Sequence, residues 1–295
     1  MVASPPMMML HAGLRPEGYQ VKNKGAHIKN RGTRMRLVKL VAAATVIIAS
    51  AMGSAMAKDW KEIRIGTEGA YPPFNSVAAD GSLVGFDIDI GNALCEKMQA
   101  KCTWVAQDWD GIIPALLAGK YDMIVASMSI TEERKQKVAF TNKYYQTPPS
   151  FVAPKDTKIT DWSPEGLKGT VVGAQSSTIH ANFLEEVYKP AGVEVKLYPT
   201  AVEAQADLAA GRLDAYLDDI IVGSNWVASA DGACCANKFS VDAVKYAAIL
   251  GNGAGISMRK EDTELLEKVN KALAEIIADG TYKKINDKYF PFSIY

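Results

Sequence analysis

Histidine is scarce in this sequence, which contains three in 295 residues, and only His180 lies beyond residue 57. A serine or cysteine nucleophile there would have one possible histidine base, and we expect His180 on the surface of a helix. The sequence also lacks a G-x-S-x-G segment, which would form the sharp turn that presents a catalytic serine. These absences argue against a hydrolase.

Signals for cofactors and metals are weak as well. Gly251, Gly253 and Gly255 do not open a βαβ unit after the first strand, as the glycines of a dinucleotide-binding loop would. Cys234 and Cys235 are adjacent, but no cluster of further ligands accompanies them to suit zinc. We therefore expect no cofactor and no metal site.

An excess of positive charge is missing from most of the chain. Residues 1–57 hold eight of the 33 lysines and arginines and one of the 33 acids, which leaves 25 basic and 32 acidic residues, a net charge of −7, in 58–295. Binding to nucleic acid needs a basic face, so we exclude a nucleic-acid partner. An acidic body is compatible with a cationic ligand.

The N-terminal segment is typical of an export signal. A basic stretch at 34–39 precedes an apolar run at 40–53, and residues 55–57 read Ala-Met-Ala, a small-x-small cleavage site. This pattern predicts a cleaved signal peptide, with Met35 as the start of translation and the periplasm as the destination. The alternative is a membrane anchor, because Leu40–Ala57 carries no charge over 18 residues.

Four cysteines are present. Cys95 and Cys102 are seven residues apart, and export would bring them into an oxidising compartment. We expect a disulfide between them, joining the end of a helix to the next strand, rather than free thiols. For Cys234 and Cys235 the sequence leaves three states open: a bridge between the two, free thiols, or a bond to another chain.

Beyond residue 57, short β-branched runs alternate with helical periodicities. Strands are predicted at 63–67, 102–105, 121–126, 170–174, 193–198 and 213–217, and helices at 87–98, 111–117, 177–188, 201–210 and 262–278. Strands that alternate with helices predict an α/β fold with mainly parallel sheets. The segments 117–122 and 209–214 share a helix end, a glycine, a base, an apolar residue and an aspartate. This recurrence predicts two similar lobes, although a common helix–glycine–strand turn could also recur by chance.

The predicted domain layout follows from two crossovers between the lobes. Residues 144–149 are a plausible first crossover, and the chain is expected to return before its last helix. We therefore predict an N-terminal extension at 1–57, a first lobe at 58–145 plus 251–295, and a second lobe at 149–247. Hinge segments near 145–149 and 247–251 would let the lobes close on a ligand.

Polar and aromatic residues follow the predicted strands, where an open parallel sheet binds ligands. An arginine can bind a carboxylate as a fork, carboxylates suit ammonium or guanidinium groups, and aromatic rings can stack on a side chain. Each residue alone has an ordinary interpretation: a serine as a helix cap, a tryptophan in the core, an arginine or aspartate in solvent. The candidates are Glu68, Tyr71, Trp109 with Asp108 and Asp110, Ser127, Ser129, Arg134, Gln175 to Thr178, and Asp218 with Asp219.

Five segments, 65–74, 85–89, 127–134, 279–282 and 288–290, together resemble the polar amino-acid-binding proteins of ABC importers, solute-binding protein family 3. The resemblance covers 58–295 and is strongest to the branch that binds lysine, arginine, ornithine and histidine, with the opine binders nearby. It implies the type II periplasmic-binding-protein fold, a monomer that binds a small amino acid, and membrane permease subunits as partners. It also implies a disulfide like that expected for Cys95 and Cys102.

By position, the resemblance assigns roles to ten residues. Arg134, with Ser129 and the amide of Thr178, would hold the α-carboxylate, and Asp219 the α-ammonium. Tyr71 and Trp109 would enclose the ligand side chain and Glu68 would meet its distal cation, while Ser127, Ala174 and Ser177 would line the pocket.

The sequence departs from the branch at four positions, of which two are among these ten residues and two are next to one of them. Glu68 stands where aspartate is usual, Trp109 replaces phenylalanine, Ala126 replaces serine and Ile179 replaces a polar residue. We expect arginine as the first ligand, then lysine, ornithine or histidine. An opine (octopine or nopaline) is the alternative ligand, and a cyclohexadienyl dehydratase-like enzyme is the alternative activity.

Overall fold

The computed structural model describes residues 59–295. The predicted signal peptide and the proposed start at Met35 lie outside the described residues. Within residues 59–295, none of the helices combines the length and the apolar character needed to cross a membrane.

The first part of the chain alternates strands and helices as predicted. Ile63 and Ile65 are buried on the first strand, and Ile90 and Leu94, four residues apart, are buried on the first helix. Their elements pack around one apolar core. The elements are β1 (Glu62–Thr67), β2 (Ala70–Tyr71), β3 (Asn75–Val77), β4 (Leu83–Val84), α1 (Phe86–Met98), β5 (Lys101–Ala106), α2 (Ile112–Leu117), β6 (Met123–Ile124), α3 (Glu132–Lys135) and β7 (Ala139–Tyr145).

The middle part repeats this alternation. Thr178 and Thr200 cap two of its helices, because their hydroxyls accept hydrogen bonds from the amides of Ala181 and Glu203. The helix predicted at 177–188 is shorter than expected, since it passes into a wider π-helical turn at Leu184–Tyr188. The elements are β8 (Pro149–Pro154), β9 (Val171–Gln175), α4 (Ile179–Phe183), β10 (Glu194–Tyr198), α5 (Ala201–Ala209), β11 (Ala215–Asp219), α6 (Ile220–Val227) and β12 (Cys235–Ser240).

The last part of the chain confirms the long helix predicted at 262–278. Leu265, Val269 and Leu273 recur every four residues and are buried against the first sheet and its helices. The elements are α7 (Ala247–Leu250), β13 (Ala254–Met258), α8 (Thr263–Ala278) and α9 (Thr281–Tyr289).

Two five-stranded sheets define two lobes, as predicted. The first lobe is built on the order β5-β1-β6-β13-β7 and the second on β10-β9-β11-β8-β12. In the first sheet β5, β1 and β6 are parallel, and β13 and β7 run antiparallel to their neighbours. In the second sheet β10, β9 and β11 are parallel, and β8 and β12 run antiparallel to their neighbours. The small antiparallel sheet β2-β3-β4 follows β1. The fold is therefore α/β with two lobes.

The chain passes between the two sheets twice. It leaves the first sheet at the end of β7 and enters the second at the start of β8, and it returns to the first sheet as β13. The lobe boundaries at 145–149 and 247–251 stay a prediction.

Both cysteine pairs are bonded in the structure. The Cys95–Cys102 disulfide joins the last turn of α1 to β5, with 6.2 Å between the two Cα atoms. Cys234 and Cys235 are bonded to each other at the start of β12. Of the three states left open by the sequence, the structure has the bridge between neighbours.

Candidate ligand-binding site

The carboxyl ends of strands from both lobes border a small cavity. Its volume is about 30 Å³. The loops after β1, β6 and β9 supply most of its wall, as the strand-end rule predicted. The lining residues are Glu68, Tyr71, Trp109, Ala126, Ser127, Ser129, Arg134, Gln175, Thr178, Ile179 and His180.

Glu68 forms the acidic side of this cavity. Its Oε1 accepts a hydrogen bond of 2.6 Å from Nε2 of Gln175, which belongs to the second lobe. Burial raises the pKa of Glu68 to about 7, and the negative charges of Asp218, Asp108 and Asp110 add to the rise, while the bond from Gln175 opposes it. A cation that entered the cavity would favour the charged carboxylate.

Arg134 forms the basic side. The hydroxyl of Thr131 accepts a hydrogen bond from the Arg134 amide, which fixes the start of α3. The guanidinium donates to the carbonyl oxygens of Ser129 at 3.0 Å and Ser177 at 3.2 Å, and it lies 5.3 Å from the ring centre of Trp109. Burial lowers its pKa to about 10, so the group stays positively charged at neutral pH. Such a fork suits a carboxylate.

Asp219 lies at a second cavity of about 40 Å³ that shares Tyr71 and Ser129 with the first. Its Oδ1 caps α6 by accepting a 2.8 Å hydrogen bond from the Ile221 amide, and Oδ2 accepts one from the Thr147 hydroxyl. Burial raises the pKa of Asp219 to about 7, and these two hydrogen bonds oppose the rise. The side chain is thus an acid held beside the cavity of Glu68 and Arg134.

Ser127 is supported from behind by a buried aspartate that sequence analysis did not select. The Ser127 hydroxyl donates to Oδ2 of Asp87 at 3.0 Å, and the Tyr144 hydroxyl donates to Oδ1 at 2.6 Å. Ser127 has a φ of 52°, an uncommon angle for a residue with a side chain. Asp87 therefore fixes the conformation of the loop after β6.

Comparison with known proteins agrees with this geometry. Residues 63–292 match the family model of bacterial extracellular solute-binding proteins, family 3. The chain belongs to this family. It is 45% identical over 235 residues to an L-arginine-binding protein of Pseudomonas aeruginosa, covering 80% of this chain and 90% of that one.

Other relatives carry related names. The lysine/arginine/ornithine-binding periplasmic protein of Escherichia coli is 42% identical over 234 residues, which cover 79% of this chain and 89% of that protein. Among solved structures, an ancestral arginine-binding protein bound to arginine has a TM-score of 0.71 and 40% identity, covering 78% of this chain and 98% of that one. These solute-binding proteins share the fold expected from the resemblance.

In this family 3 protein the two lobes are in direct contact around the cavity. Hydrogen bonds join side chains after β1 and β5 to the loop after β9 and to the end of β11. Arg134 also reaches across to the second lobe. The donor–acceptor pairs are Gln175–Glu68, Tyr71–Asp218, Arg134–Ser177, Trp109–Ser177 and Ser176–Asp110. Side chains of the two lobes are therefore hydrogen-bonded to each other around the cavity.

The remaining predicted site residues lie further from the cavity of Glu68 and Arg134. Ala174 is fully buried in β9, one residue before the cavity wall. Ser177 has a φ of 57° and lines a larger neighbouring cavity of about 690 Å³, to which Trp109 and Arg134 also contribute.

The prediction for His180 was wrong. It is 8% exposed, not on a helix surface, and it lines both small cavities. Its Nδ1 lies 3.4 Å from Oδ1 of Asp218, another buried side chain without an assigned role in the sequence. His180 lies in the first turn of α4, and this turn borders the cleft. Adjacent acids at the end of a strand were the one available signal for Asp218.

Proposed function

We propose that this protein is the periplasmic solute-binding component of an ABC importer and captures a cationic amino acid, arginine first. The observation that carries the proposal is that Glu68 and Arg134 line the same small cavity. A cationic amino acid has a carboxylate at one end and a positive charge at the other. The cavity offers a matching charge to each end.

Arg134 takes the ligand carboxylate in this proposal. Its two present acceptors are backbone carbonyl oxygens, of Ser129 and Ser177. A carboxylate would replace a neutral acceptor by a charged, bidentate one, which strengthens the hydrogen bonds. The Ser129 hydroxyl and the Thr178 amide add donors. Asp219, at the adjoining cavity, takes the α-ammonium.

Glu68 takes the distal cation, with the rings of Tyr71 and Trp109 on either side of the ligand chain. Its present partner is the amide of Gln175. Exchange of that neutral donor for a guanidinium or ammonium group lets Glu68 ionise with a charged partner. A guanidinium, with its fork of donors, can bond to Glu68 and still leave donors for neighbouring acceptors.

Ligand entry requires the lobes to separate. The two small cavities, of about 30 and 40 Å³, lie where side chains of the two lobes are hydrogen-bonded to each other. The hydrogen bonds that join the lobes would break as the cleft opens and re-form around the ligand. The closed, liganded protein is the form that the permease subunits would recognise, and the protein acts as a monomer.

The names of the relatives support this ligand class. Relatives from Pseudomonas aeruginosa and Escherichia coli are named for binding L-arginine, lysine/arginine/ornithine and histidine. These relatives are all named as binding proteins. A precursor of cyclohexadienyl dehydratase, 31% identical with a TM-score of 0.69, is a structural neighbour as well, so activity on prephenate is a useful control.

Titration calorimetry of residues 58–295 tests the proposal. The ligands are arginine, lysine, ornithine, histidine, octopine, nopaline, glutamine and glutamate. We expect the tightest binding with arginine. Heat with glutamine or glutamate but with no cationic ligand would contradict the proposal, tighter binding of an opine would move the assignment to that ligand, and aromatic product from prephenate would indicate an enzyme.

A further inference from the structure

Asp218 lies directly behind the ligand-binding cavities and is 2% exposed. Its Oδ1 accepts a hydrogen bond of 2.5 Å from the Tyr71 hydroxyl, which belongs to the first lobe, and one of 2.8 Å from the Asp219 amide. Its Oδ2 accepts a hydrogen bond from the Tyr216 hydroxyl. Three donors therefore converge on one carboxylate.

This buried charge has no cationic partner among the described residues. The basic group in contact with it is His180, whose Nδ1 is 3.4 Å from Oδ1. Burial lowers the pKa of His180, the negative charge of Asp218 opposes the fall and the positive charge of Arg134 adds to it; the net pKa is lowered, so the imidazole is neutral at neutral pH. Hydrogen bonds satisfy the carboxylate of Asp218, but they leave its negative charge in place.

The charge of Asp218 acts on both acids of the proposed site. Asp218 precedes Asp219 in β11 and bonds to Tyr71, which lines both small cavities, and its charge contributes to the raised pKa values of Glu68 and Asp219. When Glu68 and Asp219 are ionised, they and Asp218 outnumber the positive charge that Arg134 brings to the two small cavities. A neutral zwitterion does not balance this excess, whereas a ligand with an additional positive charge reduces it.

We propose that Asp218 is a specificity-determining residue that selects ligands with a net positive charge by holding an uncompensated carboxylate behind the cleft. The inference rests on the proposed capture of a cationic amino acid. Its contact with Tyr71 gives Asp218 a second role, because that hydrogen bond crosses between the lobes and exists only when they are closed. The side chain of Asp218 therefore contributes both to selection of the ligand by charge and to closure of the cleft.

Asp218→Asn is the test, with arginine and citrulline as the ligand pair. Citrulline has the length and shape of arginine but a neutral ureido group. The asparagine can still accept the Tyr71 hydrogen bond but carries no charge. We expect the arginine preference, the ratio of the citrulline Kd to the arginine Kd, to fall on the order of tenfold, mostly through weaker arginine binding.

Two further variants separate charge from packing. Asp156→Asn removes an exposed carboxylate from the same lobe and should change neither Kd. Tyr71→Phe removes the hydrogen bond between the lobes but keeps the charge of Asp218, so it should weaken arginine and citrulline binding by similar factors and leave the arginine preference intact. If Asp218→Asn does not fold, Tyr71→Phe still tests whether the arginine preference depends on the hydrogen bond between the lobes.

The outcomes distinguish this inference from the proposed function. If the wild-type protein binds no cationic amino acid, the proposed function itself fails. If it binds arginine and the arginine preference is unchanged in folded Asp218→Asn, Asp218 is not a specificity residue. Loss of the preference in Tyr71→Phe would assign it to the tyrosine hydroxyl and would equally overturn the inference.

Discussion

At the residue scale, the charge of the cleft depends on its ligand. Glu68 and Asp219 both have a pKa of about 7, because burial disfavours their charged forms. A bound cation favours the charged forms and so lowers both pKa values. Binding of a cationic amino acid is therefore linked to the release of protons.

The first prediction concerns pH. Above about pH 8 both acids are already charged, and arginine affinity should be independent of pH. As the pH falls below about 7, a proton must leave each group on binding, so affinity should fall by about tenfold per pH unit for each group that must ionise. Calorimetry in buffers of different ionisation enthalpy measures the proton release directly. A flat profile between about pH 5.5 and 8 would contradict the assignment.

The raised pKa of Glu68 also affects the stability of the unliganded protein. Because the pKa of Glu68 rises from 4.5 to about 7 on folding, the folded state holds this proton more tightly than the unfolded chain. Its contribution to stability is present below about pH 4.5 and is lost as the pH rises through about 7.

The second prediction concerns Glu68→Gln. This change keeps the size of the side chain and a hydrogen-bonding group but removes the charge that meets the distal cation. Arginine and lysine should bind at least tenfold more weakly, while glutamine binding should change by less than about threefold. Calorimetry measures both, with the exposed Glu62→Gln as control. An equal loss for charged and neutral ligands would refute the assigned role.

The third prediction concerns Arg134→Ala. Every amino acid has an α-carboxylate, so removal of its partner should weaken all ligands alike, by about 100-fold or more. Lys137→Ala is the matched control, because Lys137 is an exposed base nearby that contacts Glu133. Calorimetry with arginine and glutamine is the measurement, and a loss confined to arginine would disprove carboxylate binding.

How much of the site the sequence predicts depends on what each residue does there. Glu68, Trp109 and Arg134 follow strands, and the strand-end rule brings them to one cavity. Asp87 supports the loop after β6 by accepting a hydrogen bond from the Ser127 hydroxyl, and His180 lines the cavity and contacts Asp218, which is distant in the sequence. No local pattern distinguishes such residues from an ordinary helix start or a surface histidine, because only tertiary packing determines their partners.

At the element scale, periodicity predicts α8 well because one apolar stripe fixes its whole length. It predicts the helix at 177–188 less well. There α4 ends after Phe183 and the chain widens into a π-helical turn, a change in hydrogen bonding that leaves the apolar spacing almost unaltered.

The fourth prediction concerns the bond between α1 and β5. The Cys95–Cys102 disulfide closes a short loop, with a sequence separation of 7. Replacing both cysteines by serine should lower the free energy of unfolding by about 2 to 3 kcal/mol through loop entropy. Urea unfolding measures the change. Serine at both Cys234 and Cys235 is the control, since a bridge between neighbours closes no loop and should contribute far less.

At the scale of the whole molecule, the recurrence of one helix–glycine–strand pattern correctly predicted two lobes of similar construction. That recurrence did not predict the antiparallel strands of each sheet. β8, for example, pairs with β11 and β12 through contacts that the order of elements along the chain does not specify.

The fifth prediction concerns closure. Without ligand, the lobes are joined around the cleft by side-chain hydrogen bonds that water can replace, so open forms should be populated. Arginine adds contacts to both lobes, and it should reduce the radius of gyration measured by small-angle X-ray scattering and raise the melting temperature. Glutamate, with no distal cation, should do neither at the same concentration. Identical scattering with and without arginine would contradict a closing motion.

The position of β13 has a consequence for biosynthesis. β13 pairs with β6 on one side and β7 on the other, inside a sheet whose other strands all precede residue 146. The first lobe to be synthesised is therefore the last to be finished, because its sheet stays divided until residues 254–258 have been made. The second lobe, with its five strands in one uninterrupted stretch, can fold in the meantime.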